Sequence, residues 1–190
     1  MPNHNNLNRK VSEYQRVLEQ TAAYRQTWDD SLESEIKQAL QTLVDGSGLQ
    51  AKVEVKEEIA NLAAITLTLG NSKSGLAQDV VDGHTRELIK HNGSLIYQQL
   101  FNGKVVVVIQ YPFIENHGKP QPAKQVGIYR PEELREPFFQ RHVEELLTEV
   151  TKWEDYDDDE PNQKIGFKLN FEQPDLKLPP NSGTPKKGGK

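Results

Sequence analysis

The sequence predicts an α+β domain: an antiparallel sheet of four to five strands with a long N-terminal helix and a second long helix near the C-terminus. Three observations carry that expectation. Apolar residues recur at helical steps over residues 7–45. Runs between residues 49 and 111 alternate apolar with polar residues or are rich in β-branched ones. Phe139, Val143, Leu146, Val150 and Trp153 step by 4, 3, 4 and 3, which lines one face of a helix.

In residues 7–45 the stripe is Leu7, Val11, Tyr14, Leu18, Trp28, Leu32, Ile36, Leu40 and Leu43. It weakens at Thr21 and Arg25, where a strict heptad wants apolar groups. Asp30 and Glu33 have the spacing of a capping box, so the segment is either one long helix or two helices broken near Asp29-Asp30. Gly46 suits the left-handed position that ends a helix.

Alternation over Leu49–Val55 and Ala63–Leu69 predicts two strands, with Val53 and Val55 on a buried face. For residues 76–92 a short helix over 85–91 fits best, and a strand is the second reading. Gly83 within a longer helix costs about 1 kcal/mol relative to Ala. Ser94–Phe101 and Lys104–Tyr111, joined by Asn102-Gly103, read as a hairpin with a type I′ turn, whose central residues need positive φ. Its first strand sets Leu95, Tyr97 and Phe101 on one face. Its second strand, apolar on both faces, is expected at the centre of the sheet and covered on both sides. Val126–Tyr129 reads as a short strand, and the second long helix starts near Pro137 and runs to residue 153. Ile165–Phe171 alternates and predicts an edge strand. Residues 1–6 and 172–190 are expected to be disordered, the latter because Pro, Gly, Lys and Ser bury too little apolar surface to offset ordering entropy.

Composition narrows the function. The 190 residues carry 23 Lys and Arg against 28 Asp and Glu, a net charge of −5. A nucleic-acid module usually shows the opposite balance, so no nucleic acid is expected as partner. With no cysteine, disulfides, thiolate metal sites and cysteine nucleophiles are excluded. No apolar run is long enough to span a membrane, and the start of the chain has no secretory signal, so a cytoplasmic location without membrane contact is expected.

Local patterns for chemistry are weak. His84, Glu87 and His91 would share a face of a helix over 85–91 and could ligate zinc there, although H-x-x-E-x-x-x-H is not the zinc-protease spacing. Asp155, Asp157 and Asp159 are spaced like early ligands of a calcium loop, but Glu160 and Gly166 stand where that loop needs Gly and Glu. Gly70–Gly75 fails the phosphate-loop pattern because Lys73 precedes the second glycine, and it reads as a loop leaving a strand. No nucleophile elbow is present. No cofactor is implied.

The order helix, two strands, short helix, two strands, helix resembles that of small acidic secretion-chaperone-like folds. The likeness is one of element order, with no motif behind it. Two readings of function follow. The first is a non-enzymatic protein-interaction or chaperone-like assembly domain, dimeric, meeting a protein partner or a second copy through Tyr14, Leu18, Trp28 and Leu32. The second is a metal-assisted hydrolase using His84, Glu87 and His91.

Overall fold

The computed structural model describes residues 4–57, 62–80 and 84–155. The chain opens with α1 (His4–Thr27), passes through a π-helical turn (Trp28–Leu32), and continues as α2 (Glu33–Ser47). The first turn of α1 thus takes in residues 4–6, which composition alone assigns to a disordered end. Thr27, Leu32 and Glu33 all keep right-handed helical φ and ψ, so the helix does not break. The capping box at Asp30 and Glu33 is therefore not formed. Glu33 N–H instead donates to the Trp28 carbonyl, five residues back, which defines the π turn.

That turn marks a change of period. Leu7, Val11, Tyr14 and Leu18 follow a heptad, whereas Trp28, Leu32, Ile36, Leu40 and Val44 are each four apart and all buried. Four-residue steps drift by about 40° each around an α-helix. The wider π turn absorbs part of the drift at its first step and keeps Leu32 over the sheet. The helix runs past Gly46 and ends at Gly48, whose φ of 72° supplies the left-handed cap.

Eight strands follow: β1 (Lys52–Lys56), β2 (Ala64–Thr68), β3 (Asn71–Val80), β4 (His84–His91), β5 (Ser94–Gln99), β6 (Val105–Gln110), β7 (Phe113–Ile114) and β8 (Lys124–Tyr129). A short 3-10 turn (Pro131–Glu133) leads to α3 (Phe138–Glu154). The strands form a five-stranded antiparallel sheet in the order β1-β2-β5-β6-β8 and a three-stranded one in the order β3-β4-β7. The α+β class is thus as the sequence predicts, with one sheet more than expected. The predicted edge strand at residues 165–171 and the C-terminal tail lie outside the described residues.

The core forms between the five-stranded sheet and the helices. Ile65 pairs with Tyr97 and Tyr97 with Val107; Leu67 pairs with Leu95 and Leu95 with Ile109. These side chains are fully buried against Trp28, Leu32, Ile36 and Leu40 of the N-terminal helix and Phe139, Val143 and Leu146 of α3. The opposite face of β6, Val106 and Val108, is only half-buried, so the strand is interior to the sheet but fully covered on one side alone. On edge strand β1, Val53 packs on the core and Val55 is exposed, because the helical layer does not reach the end of the strand.

Residues 84–91 are a strand, not a helix. β4 pairs with β3 from Asn71↔His91 to Val80↔His84, with a bulge between Lys73 and Ala77. The Gly70–Gly75 segment is accordingly the start of β3 and not a free loop. Hairpin pairing has overridden the helical spacing of Leu88, His84 and His91, since β-ladder bonds are non-local and leave no mark on periodicity.

The β5–β6 connection also departs from expectation. Gly103 N–H donates to the Leu100 carbonyl and Leu100 N–H to the Lys104 carbonyl, while Gly103 has φ 75° and Asn102 does not have positive φ. This is a three-residue loop, a tight turn closed by a left-handed glycine, rather than a type I′ turn. Phe101 consequently leaves the strand and is 75% exposed; Gln99 takes the next inward position.

The tip of this loop sits on α1. A Cβ on Gly103 would stand 2.7 Å from Tyr24 Cβ, 3.0 Å from the Thr21 carbonyl oxygen and 3.1 Å from the Arg25 nitrogen. Arg25 Nη2 donates to the Phe101 carbonyl across the same contact. Gly103→Ala is therefore expected to destabilise the protein by about 2–4 kcal/mol, combining backbone strain with overpacking. Gly75 has the same φ of 75° but open space where its Cβ would be, so Gly75→Ala should cost only about 1–2 kcal/mol. Chemical denaturation of the two variants checks the difference, and equal losses would refute the close seat.

Candidate interaction surface

Three sections make up the seam of the N-terminal helix. At its C-terminal end Trp28 and Leu32 are 1% and 2% exposed and belong to the core. In the middle, Thr21 and Arg25 face the β5–β6 loop through Gly103 and Phe101. Towards the N-terminus, Leu7, Val11, Tyr14 and Leu18 are 45–64% exposed and, among the described residues, stand outside the core. Half-exposed Val17 widens this last section on one flank. The four residues expected to meet a partner are thus divided: Tyr14 and Leu18 lie open, whereas Trp28 and Leu32 are committed to intramolecular packing.

The division explains why the stripe falters at Thr21 and Arg25. Those positions pack against backbone, not side chains, and a glycine is what allows the approach. Their polar character reads as an interruption in one dimension and is an intramolecular contact in three. Sequence reasoning missed Phe101 and Val17. Phe101 was hidden because the turn type, which decides where the strand ends, is not written in Asn102-Gly103 alone.

The free section extends roughly 25 Å from His4 to Gln20, at about 1.5 Å per residue. Its polar positions mix signs: Arg9, Lys10 and Arg16 alternate with Glu13 and Glu19. Lys10 Nζ lies 2.9 Å from Glu13, and the hydrogen bond from that ammonium holds the Glu13 carboxyl below the usual carboxylate range. Such an exposed pair contributes little stability, but it keeps the helix soluble beside its apolar stripe.

The His84, Glu87 and His91 set is not gathered on one face. Side chains alternate along a strand, so Glu87 and His91 share a face of β4 and His84 takes the other. Glu87 pairs with Lys73 at 2.9 Å, and His91 stacks on Phe113 at 4.3 Å between ring centres with Glu115 3.3 Å from its Nε2. Among the described residues no group of three or more His, Cys, Asp or Glu side chains is placed to hold a metal ion. Asp155 ends the described chain; Asp157 and Asp159 lie outside it.

A polar cleft of about 320 Å³ opens between the two sheets, where Thr66, Thr68, Ser94 and Gln110 face His91 and Phe113. Among the described residues lining it, the Ser94 hydroxyl donates to Gln110 and His91 faces Glu115, so the two are not paired as nucleophile and base. A buried titratable cluster lies elsewhere. His142 of α3, 3% exposed, lies between two phenols: Tyr97 Oη is 2.9 Å from its Nδ1 and Tyr129 Oη 3.1 Å from its Nε2. Burial lowers the imidazole pKa, with Glu145 opposing, and burial raises the pKa of both tyrosines. A neutral imidazole offers one donor and one acceptor, so one phenol donates to it while the other accepts. The trio ties α3 to β5 and β8. Among the described residues, no helix is long and apolar enough to cross a membrane.

No protein-family model matches the chain, and comparison with curated proteins and with solved structures finds no match. The functional reading therefore stands on geometry.

The buried histidine sets a pH dependence of stability. Its folded pKa lies below the unfolded value of about 6.5. As pH falls through about 6.5 the unfolded chain takes up the proton first, so stability is complete above that pH and is lost progressively as pH approaches the folded pKa. Melting temperature is expected to drop as pH falls below about 6.5, and His142→Gln should flatten that slope. An unchanged slope in the variant would place the titration on another group.

Proposed function

We propose that this chain is a non-enzymatic interaction domain, of assembly or chaperone-like type, that associates with a second copy through the free section of α1. A single observation supports the reading: Leu7, Val11, Tyr14 and Leu18 form a stripe at heptad spacing that stays 45–64% exposed among the described residues. Withdrawing the exposed half of each such side chain from water would contribute about 1 kcal/mol before the cost of association. The mixed charges on the rest of the helix and the acidic chain as a whole suit a protein partner better than a phosphate backbone. The hydrolase reading has no comparable support, since its three residues are split between the two faces of β4.

Light scattering coupled to size exclusion is expected to give twice the 21.6 kDa chain mass. Leu18→Glu should shift the protein to monomer while its melting temperature stays within a few degrees, because Leu18 is half exposed and outside the core. Leu32→Glu, by contrast, should unfold the domain. A wild-type monomer at tens of micromolar would remove the reading.

A further inference from the structure

We infer that the concave corner between the two sheets is a binding site for a neutral carbohydrate, held by the hydroxyl and carboxamide groups of Thr66, Thr68, Ser94 and Gln110 on one side and by His91 and Phe113 on the other. The cleft shares no residue with α1, so ligand binding there goes beyond the self-association reading and stands or falls independently of it.

The topology builds the corner. β2 ends at Thr68 and β3 begins at Asn71; β4 ends at His91 and β5 begins at Ser94; β6 ends at Gln110 and β7 begins at Phe113. Strands β2, β5 and β6 are neighbours in one sheet, and β3, β4 and β7 are neighbours in the other. The second sheet is therefore the continuation of three strands of the first, each bent across two residues. Hydrogen bonds persist through the bend: Leu69 N–H donates to the Gly93 carbonyl at 3.1 Å and Asn92 N–H to the Gly70 carbonyl at 3.0 Å. Gly70 and Gly93 have φ of 73° and 96°, which residues with a side chain rarely adopt. A brace crosses the same corner, with Ser72 Oγ donating to Asn92 Oδ1 at 2.8 Å and Asn92 Nδ2 to the Leu69 carbonyl at 3.2 Å. The recess is thus set by the backbone before any ligand arrives.

Register decides which side chains line it. Thr68, Ser94 and Gln110 are cross-strand partners and form one row. Asn71, His91 and Phe113 are partners and form the facing row. Thr66, two residues before Thr68, stands behind the first row on the same face. Thr66 and Ser94 are 8% and 7% exposed, so the floor of the cleft is polar and sheltered.

The chemistry is neutral and two-way. The hydroxyls of Thr66, Thr68 and Ser94 and the carboxamides of Gln110 and Asn71 each both donate and accept. Thr68 Oγ1 accepts from Gly70 N–H at 3.1 Å and keeps its own proton for another acceptor. The Ser94 hydroxyl donates to Gln110 Oε1 at 3.3 Å, which leaves the Gln110 amino group as a donor. Charges at the mouth balance, with Lys56 against Glu54, and Lys52 lies 2.8 Å from that carboxylate. His91 turns its Nε2 to Glu115 and stacks on Phe113, giving the facing row a ring surface. A phosphate or carboxylate ligand wants an excess of Lys or Arg, which the described lining residues do not supply. A polyhydroxylated ligand matches groups that both donate and accept, and its C–H face suits the rings. The cleft of about 320 Å³ lies at the lower end of the roughly 300–1,000 Å³ of small-ligand sites, the size for a mono- or disaccharide.

Amide NMR of the labelled full chain tests the assignment. Glucose, galactose, mannose, maltose and cellobiose are added in turn, each to about 50 mM, and at least one is expected to bind with a dissociation constant of about 1–10 mM. The shifts should centre on Thr66, Thr68, His91 and Ser94. Ser94→Ala and Gln110→Ala should each weaken binding of that sugar by about threefold or more. Gln110 is exposed, so its replacement leaves the fold intact, and the spectrum of each variant reports this directly. No shift with any of the five sugars, or shifts centred elsewhere, would overturn the site. Unchanged affinity in the folded Gln110→Ala protein would do the same. Tighter binding of inorganic phosphate or adenosine monophosphate at these amides would show an anion site and refute the carbohydrate assignment.

Discussion

The seat of Gly103 on the α1 backbone is the contact on which the rest of the structure turns. It is an approach of main chain to main chain that any side chain at residue 103 would prevent. It fixes where the long helix crosses the end of the sheet, and so which of its turns lie over the core. Trp28, the first fully buried residue of the helix, follows one turn after Arg25. Everything N-terminal to Thr21 is consequently held away from the domain by the body that the helix itself helps to build.

That constraint converts one amphipathic helix into two surfaces with different roles. From Trp28 to Val44 the apolar side chains meet Ile65, Leu67, Leu95, Tyr97, Val105, Val107 and Ile109 and stabilise the fold. From Leu7 to Leu18 the same kind of stripe stays about half exposed and outside the core. The π turn at Trp28–Leu32 lies at the boundary, where the heptad of the free section gives way to steps of four. Opening on a period suited to helix–helix pairing and closing on one suited to a broad sheet, the helix serves both tasks without a break.

On the other side of the core, α3 is held by apolar packing and by the Tyr97–His142–Tyr129 trio. The trio is polar and shared among three elements, and in either tautomer the neutral imidazole donates to one phenol and accepts from the other. It makes the position of α3 specific where Phe139, Val143 and Leu146 alone would allow sliding. The Lys124–Glu149 ion pair and the hydrogen bond from Tyr111 to Glu149 add to the same attachment closer to solvent.

The sequence by itself determined the α+β class, both long helices, the β5–β6 hairpin and the buried face of α3, because each follows from local periodicity and turn-forming residues. It also singled out Tyr14, Leu18, Trp28 and Leu32 together as one contact surface, of which Tyr14 and Leu18 are exposed and Trp28 and Leu32 are buried. Tertiary structure decided the rest. Residues 84–91 became a strand because they pair with Asn71–Val80, a contact between segments that leaves no trace in the spacing of Leu88 and Ile89. That pairing separated His84 from Glu87 and His91. Trp28 and Leu32 were indistinguishable from Leu18 along the chain, since a helical stripe records which face is apolar and not what covers it. What covers it depends on where another part of the chain comes to rest, here a loop whose Phe101 lies 76 residues beyond the Arg25 it meets.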